Sequence, residues 1–231
     1  MRIYTRRGDD GTTGLLYGGR VAKSAARIEL NGAVDESQAA LGLARAEVDP
    51  GSEADDLLLA LERELYVLMA EVATEPANRH KLSAGTSLVT PEMVTALERR
   101  IDELGERFEM PTEFVVPGAN RCAAALDVAR TVVRRAERVL AGSGPLDPRP
   151  DGSDGSTVGP YLNRLSDLLW TMARWQEGET HLAARSGRAA RGPRGGGDGA
   201  GGAPGDRPGG APGGGAGSHG RPAEHERGTR R

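Results

Sequence analysis

Residues 129–140, ARTVVRRAERVL, read as one amphipathic helix that carries four arginines. Ala129, Val132, Val133, Ala136, Val139 and Leu140 recur at the three-to-four spacing of a buried helical face. Arg130, Arg134 and Arg138 recur every four residues, which stacks them on one stripe about 5–6 Å apart. Like charges stacked in this way repel, so an anion is expected nearby, either a carboxylate of the protein or a ligand.

The same periodicity extends to both sides of this stretch. The arginine helix begins after FVVPGAN and runs to Gly142. Before it, one helix is expected from about Ala26 to Val48, and a second from about Ser52 to Thr74 with Ser52 as its N-cap. A third is announced by Thr90 as cap and Pro91 in the first turn. After it, Val158 to about Glu177 forms the fifth, with Leu162, Leu165, Leu168, Leu169 and Met172 facing inward. No segment shows the sustained alternation of a strand. The expected fold class is therefore all-α, a helical bundle. The connections Pro76–Thr90 and Gly142–Thr157 are long and polar for such a fold, which suits mobile lids or simple connectors.

Composition divides the chain. Its 34 glycines and 14 prolines concentrate from Gly187 onward, where too little apolar surface remains to offset chain entropy. We assign 187–231 to a disordered Gly/Pro/Arg-rich tail, 26–186 to the helical domain and 1–25 to a glycine-rich N-terminal loop that belongs with it. Lys and Arg number 30 against 33 Asp and Glu, a net charge of −3, so no global field calls for nucleic acid or an anionic membrane. Cys122 is the single cysteine, which excludes an intrachain disulfide and a cysteine metal cluster within one chain. The N-terminus lacks the apolar core of a secretory signal and no long apolar run follows, so a cytoplasmic location is expected.

Three groups of residues suggest chemistry. In TRRGDDGTTGLLYGGRVAK, Gly8, Gly11 and Gly14 alternate with Thr5, Thr12 and Thr13 and with Arg6, Arg7, Arg20 and Lys23. Converging backbone N–H groups, hydroxyls and cations suit a polyphosphate, although the order is not that of a Walker A loop, and an ordinary flexible turn has the same composition. On the arginine helix, ion pairs from Asp127 to Arg130 and from Arg134 to Glu137 would account for part of the charge. Arg135 and Arg138 leave a positive excess that fits a triphosphate. Asn163 and Asp167 share a face of the fifth helix, where an amide can read a ribose hydroxyl or a base edge. Asp35, in a polar interruption of the first helix, is a candidate partner for one of the arginines across an interface. Phe114, just before Pro117-Gly118, suits either a core position or an apolar wall for a flat ligand. The four histidines have no metal-ligand spacing, and no nucleophile and base are paired, so the nucleophile would come from a ligand.

YTRRGDDGTTGLLYGGRVAK, VDE, FVVPGAN, ARTVVRRAER and YLNRLSD, in this order and spacing, resemble the PduO-type ATP:corrinoid adenosyltransferases over nearly all of Met1 to Gln176. The resemblance implies a homotrimer of five-helix up-and-down bundles with interfacial active sites. It also implies transfer of the 5′-deoxyadenosyl group of ATP to the cobalt of cob(I)alamin, giving adenosylcobalamin and triphosphate. Thr5, Arg6, Gly8, Gly11, Thr12, Thr13 and Lys23 would wrap the triphosphate, with Mg²⁺ carried by ATP and no protein metal site. Arg130 would pair with Asp35 of a neighbouring subunit, Arg134 would contact ATP, and Glu137, Arg138 and Asn163 would line the nucleotide pocket. Phe114 matches the aromatic that displaces the lower ligand of cobalt. A cobalt reductase and an adenosylcobalamin-dependent enzyme are the implied partners, with no nucleic acid and no membrane. Asp127 stands where the family commonly has His, and Trp170 where Phe is frequent. The other reading left open is a corrinoid-binding or trafficking protein gated by ATP without transfer.

Overall fold

The computed structural model describes Tyr4, residues 6–178 and residues 182–183; Thr5 and the tail assigned to 187–231 lie outside the described residues. The described residues are mostly helical, as the apolar periodicity requires. Among the described residues the α-helices are α1 (Ala26–Arg45), α2 (Glu53–Val72), α3 (Pro91–Gly105), α4 (Arg121–Gly142) and α5 (Val158–Glu177). None is long and apolar enough to cross a membrane.

Three of the helices, α2, α3 and α4, start at a residue whose side chain satisfies one of the free N–H groups. Ser52 Oγ accepts from Asp55 N, Thr90 Oγ1 from Met93 N with Pro91 following, and Asn120 Oδ1 from Ala123 N. Asn120 does more than cap α4, because its Nδ2 donates to the Gln176 carbonyl at 2.8 Å. That bond ties the start of α4 to the end of α5, so the two run antiparallel. Ser143 at the end of α4 reaches the Ala26 carbonyl, and Arg121 at its start pairs with Glu47, which sets α1 antiparallel to α4 as well. The polar interruption at Asn31 and Gly32 does not break α1, which continues to Arg45.

Helix α4 lies between α1 and α5; α2 packs on α1 and α3 on α5. Leu126, Ala129, Val133 and Ala136 of α4 are buried against Leu30, Val34 and Leu41 of α1 and Leu162, Leu165 and Leu169 of α5. This inward set leaves the arginines on the opposite, solvent-facing half of α4.

Two features depart from expectation. Short strands are present: β1 (Thr12–Gly14) pairs antiparallel with β2 (Arg20–Ala22), and β3 (Val115–Val116) with β4 (Leu182–Ala183). Strands of two or three residues are too short to show alternation in sequence. The long polar connections are also held down. Glu71, fully buried near the end of α2, accepts from Arg79 Nη2 at 2.7 Å, Val89 N at 2.7 Å and Ser156 Oγ at 2.6 Å. Asp154 accepts from the backbone of Leu146, Asp147 and Ser156. One buried carboxylate thus fastens both connections to the helical core.

Candidate active site

The N-terminal hairpin is built around Thr12. Its backbone N–H and its hydroxyl both donate to Asp10 Oδ1, at 2.9 and 2.8 Å, and the hydroxyl accepts from Arg20 Nη2 at 2.6 Å. Arg20 also donates to the Arg7 carbonyl. The bonds from Thr12 hold the Asp10 carboxyl below the usual carboxylate range, with Arg20 adding to the effect. Gly11 has φ +80°, and its carbonyl accepts from Lys23 N at 2.9 Å. At Gly8 a Cβ would come 3.1 Å from the Thr12 carbonyl oxygen and 3.3 Å from Lys23 Nζ, so glycine permits the close approach of the ammonium. Thr13 pairs with Val21 in the ribbon, and Arg6 has φ +60° with its guanidinium over the Tyr4 ring. The hairpin docks on the end of α2, where Leu16 N donates to the Ala73 carbonyl. Sequence patterning found Gly8, Gly11, Thr12, Thr13 and Lys23; it did not identify Asp10, whose closeness to Thr12 was the available signal.

A second group lies on α4 and α5. Asn163 Nδ2 donates to Glu137 Oε1 at 2.9 Å. Among the described residues Glu137 makes no ion pair with Arg134. Among the described residues neither Arg134 nor Arg138 has a carboxylate partner; the one contact between them is Arg138 Nη1 to the Arg134 carbonyl. Both are exposed. Arg135 pairs with Glu36 of α1. Asp167 pairs with Arg164 at 2.6 Å and so does not share the amide's task.

A third group surrounds a cavity of about 760 Å³ lined by Phe114, Pro117, Asp127, Arg130, Trp170 and Arg174, with neighbouring loop residues. Phe114 is 89% exposed, which excludes the core position and leaves its ring on the cavity wall. Arg130 Nε donates to Asp127 Oδ1 at 3.2 Å, the expected pair. Asp127 is also bound by Arg174, which lies 47 residues further along the chain and has no local signal in the sequence. Asp35 is not at this cavity. It is exposed on α1 in a groove of about 430 Å³ with Gln38, Glu62, Arg63 and Tyr66, and in one chain it is Glu36 that reaches the arginine helix.

The arrangement therefore offers a hydroxyl-rich and basic hairpin, two arginines without carboxylate partners among the described residues, an amide held by Glu137, and a cavity whose apolar wall is edged by Asp127 and two further arginines. No group of three His, Cys, Asp or Glu side chains among the described residues is placed to hold a metal.

The sequence of residues 3–176 matches the model of the cobalamin adenosyltransferase family. A corrinoid adenosyltransferase of Citrobacter freundii is 39% identical over 176 residues, covering 76% of this chain and 95% of the relative. One from Mycobacterium bovis is 38% identical over 173 residues, covering 75% and 87%. A solved variant of a PduO-type ATP:corrinoid adenosyltransferase from Lactobacillus reuteri, complexed with cobalamin and ATP, superposes with a TM-score of 0.66 at 26% identity over 76% of this chain and 91% of that one. A second variant of that enzyme, complexed with ATP, gives 0.63 at 25% identity, over 76% and 94%. The family match spans the hairpin and the helices that carry all three groups, and the chain belongs to the cobalamin adenosyltransferase family.

Proposed function

We propose that this chain transfers the 5′-deoxyadenosyl group of ATP to the cobalt of a reduced corrinoid such as cob(I)alamin, in the cytoplasm, as a homotrimer of five-helix up-and-down bundles with active sites between subunits. The observation that carries this reading is the pair Arg134 and Arg138, exposed and without carboxylate partners among the described residues, beside the amide of Asn163 fixed by Glu137. Cations left unpaired by their own fold are available to an anion of high charge, and triphosphate is the leaving group of this reaction.

The chemistry asks little covalent work of the protein. The cobalt(I) lone pair attacks the 5′ carbon, the Co–C bond forms as the C–O bond breaks, and triphosphate leaves with the bonding electrons. Gly8, Gly11, Thr12, Thr13 and Lys23, with Thr5 and Arg6, bind the phosphates; Arg134 and Arg138 neutralise the departing charge; Asn163 orients the nucleoside. Phe114, on the cavity wall, presses on the lower corrinoid face and keeps water and an axial base away. Asp35, facing away from its own Arg130, supplies its carboxylate to the Arg130 of a neighbour. Mg²⁺ travels on the ATP oxygens, which need at most one or two carboxylates from the protein. A reductase supplies cobalt(I), and an adenosylcobalamin-dependent enzyme takes the product.

Anaerobic mixing of the full chain with chemically reduced cob(I)alamin and MgATP tests the reading. Loss of the cob(I)alamin band with growth of a light-sensitive alkylcobalamin, dependent on both ATP and protein, is expected. Tight binding of both ligands with no product would identify a gated carrier instead.

A further inference from the structure

Asp127 is buried, its side chain 5% exposed, and it divides its two oxygens between two arginines. Oδ2 accepts from Arg174 Nη2 at 2.6 Å and Oδ1 from Arg130 Nε at 3.2 Å. Arg174 is fixed from its other sides as well. Its Nη2 donates to Glu177 Oε1 at 2.9 Å, its Nε lies 2.8 Å from Glu177 Oε2, and its guanidinium stands over the Trp170 ring at 5.6 Å from the centroid. Asp127, Arg174 and Glu177 each have an opposite charge beside them, so none is an uncompensated buried charge. With Arg174 gripping one oxygen, Asp127 cannot rotate into solvent as an isolated surface acid would.

The bond to Arg130 uses Nε alone. Nη1 and Nη2 of Arg130 have no partner among the described residues, and the side chain is 27% exposed at the cavity. A guanidinium has two bidentate edges, and engagement through Nε leaves the edge formed by the two terminal nitrogens open to a second carboxylate. We propose that Asp127 is a positioning residue: anchored by Arg174, it holds Arg130 by Nε so that the terminal edge meets a carboxylate of a second copy of this chain. This rests on the adenosyltransferase reading above, in which that carboxylate is Asp35. Asp127 then assists the contact between subunits rather than competing for it, and Trp170 serves both as cavity wall and as the stacking surface that keeps Arg174 in place.

Asp127→Asn preserves the shape of the side chain and leaves Arg174 paired with Glu177. In steady-state adenosylation by the full chain, the proposal expects kcat/KM for the corrinoid to fall by about tenfold while the Kd for ATP stays within about twofold. Asp35→Asn should cost about tenfold in the wild-type background and no more than about twofold in the Asp127→Asn background. Equal losses in both backgrounds, or a wild-type Asp127→Asn, would overturn the proposal. Should Asp127→Asn fail to fold, Arg130→Lys keeps the charge and leaves the bonds of Arg174 to Asp127 and Glu177 in place. A lysine cannot hold carboxylates on two edges, so full transfer by that variant overturns the proposal too. A wild-type chain that forms no adenosylcobalamin refutes the function instead, because it leaves no transfer for Asp127 to assist.

Discussion

Replacing Arg134 by alanine should separate function from folding more cleanly than any other change in this chain. Arg134 is exposed on the middle of α4, and among the described residues its side chain has no ion-pair partner; its carbonyl accepts from Arg138, a bond that survives the substitution. Arg130 and Arg138 flank it at four residues on each side. Removing it relieves two like-charge contacts of about 0.2–0.5 kcal/mol each, and alanine is the better helix former by a few tenths. Unfolding free energy should therefore stay level or rise by up to about 1 kcal/mol, which moves Tm upward by no more than about 4 °C for a domain of this size. Charge-assisted hydrogen bonds to a phosphate contribute about 1.5–3 kcal/mol. Their loss lowers kcat/KM for MgATP by about tenfold to 150-fold. Thermal melts and anaerobic initial rates on the same preparation read both quantities. Full activity in Arg134→Ala would refute the triphosphate assignment. A melting temperature lowered by about 5 °C or more would show that Arg134 has a partner within the fold and would undo the reasoning from the other direction.

Two further outcomes follow from the buried groups. Glu71→Ala strips the acceptor from Val89 N–H, from Ser156 Oγ and from Arg79, leaving Arg79 with only Asp147, at 3.4 Å, as a carboxylate partner among the described residues; urea unfolding should show a loss of about 3–5 kcal/mol, and a loss under about 1 kcal/mol would mean the two connections are not fastened through this residue. Burial, aided by Glu47, pushes the Cys122 thiol up from 9.0 to about 11, so its neutral form is favoured in the folded protein and stability should fall as pH rises from the unfolded thiol's range toward that value. Near neutral pH a disulfide reagent should label Cys122 only after denaturation, and rapid labelling of the folded chain would contradict its burial.

How far the sequence could be read depended on how local each cause was. The helices were legible because periodicity, Ser52, Asn120 and the pair Thr90-Pro91 all act within a turn or two of the residues they organise. The hairpin was visible as a glycine and threonine pattern but not as β1 and β2, since three paired residues on each side give no alternation to detect. Glu71 was missed although it had a signal, an acid in the apolar end of α2 followed by the basic segment Arg79, His80 and Lys81. Arg174 had none: its carboxylate partner on α4 is brought to it only by the packing of α4 on α5. Asp35 stands at the opposite extreme, since the chain alone leaves it in a groove apart from Arg130, and the pairing proposed for it would need the symmetry of an assembly.

The fate of the four arginines within residues 129–140 of α4 shows how this chain divides its charges. Arg135 is neutralised by Glu36, and Arg130 by the Nε bond to a carboxylate that Arg174 already holds. Glu137, the acid closest in sequence to Arg134 and Arg138, pairs with neither among the described residues and is engaged by Asn163. If the fold required these two arginines to be neutral, Glu137 was available at no cost in chain entropy, three residues from one and adjacent to the other. Instead its carboxylate orients an amide, and the two cations remain side by side on the outer face of the helix. Repulsion at that spacing is small for a pair but persists in every folded molecule, and it is lifted only when an anion from outside the chain arrives. On the proposed function the helix is organised for a bound state, and its residual repulsion in the free chain would be regained as affinity for the triphosphate of ATP.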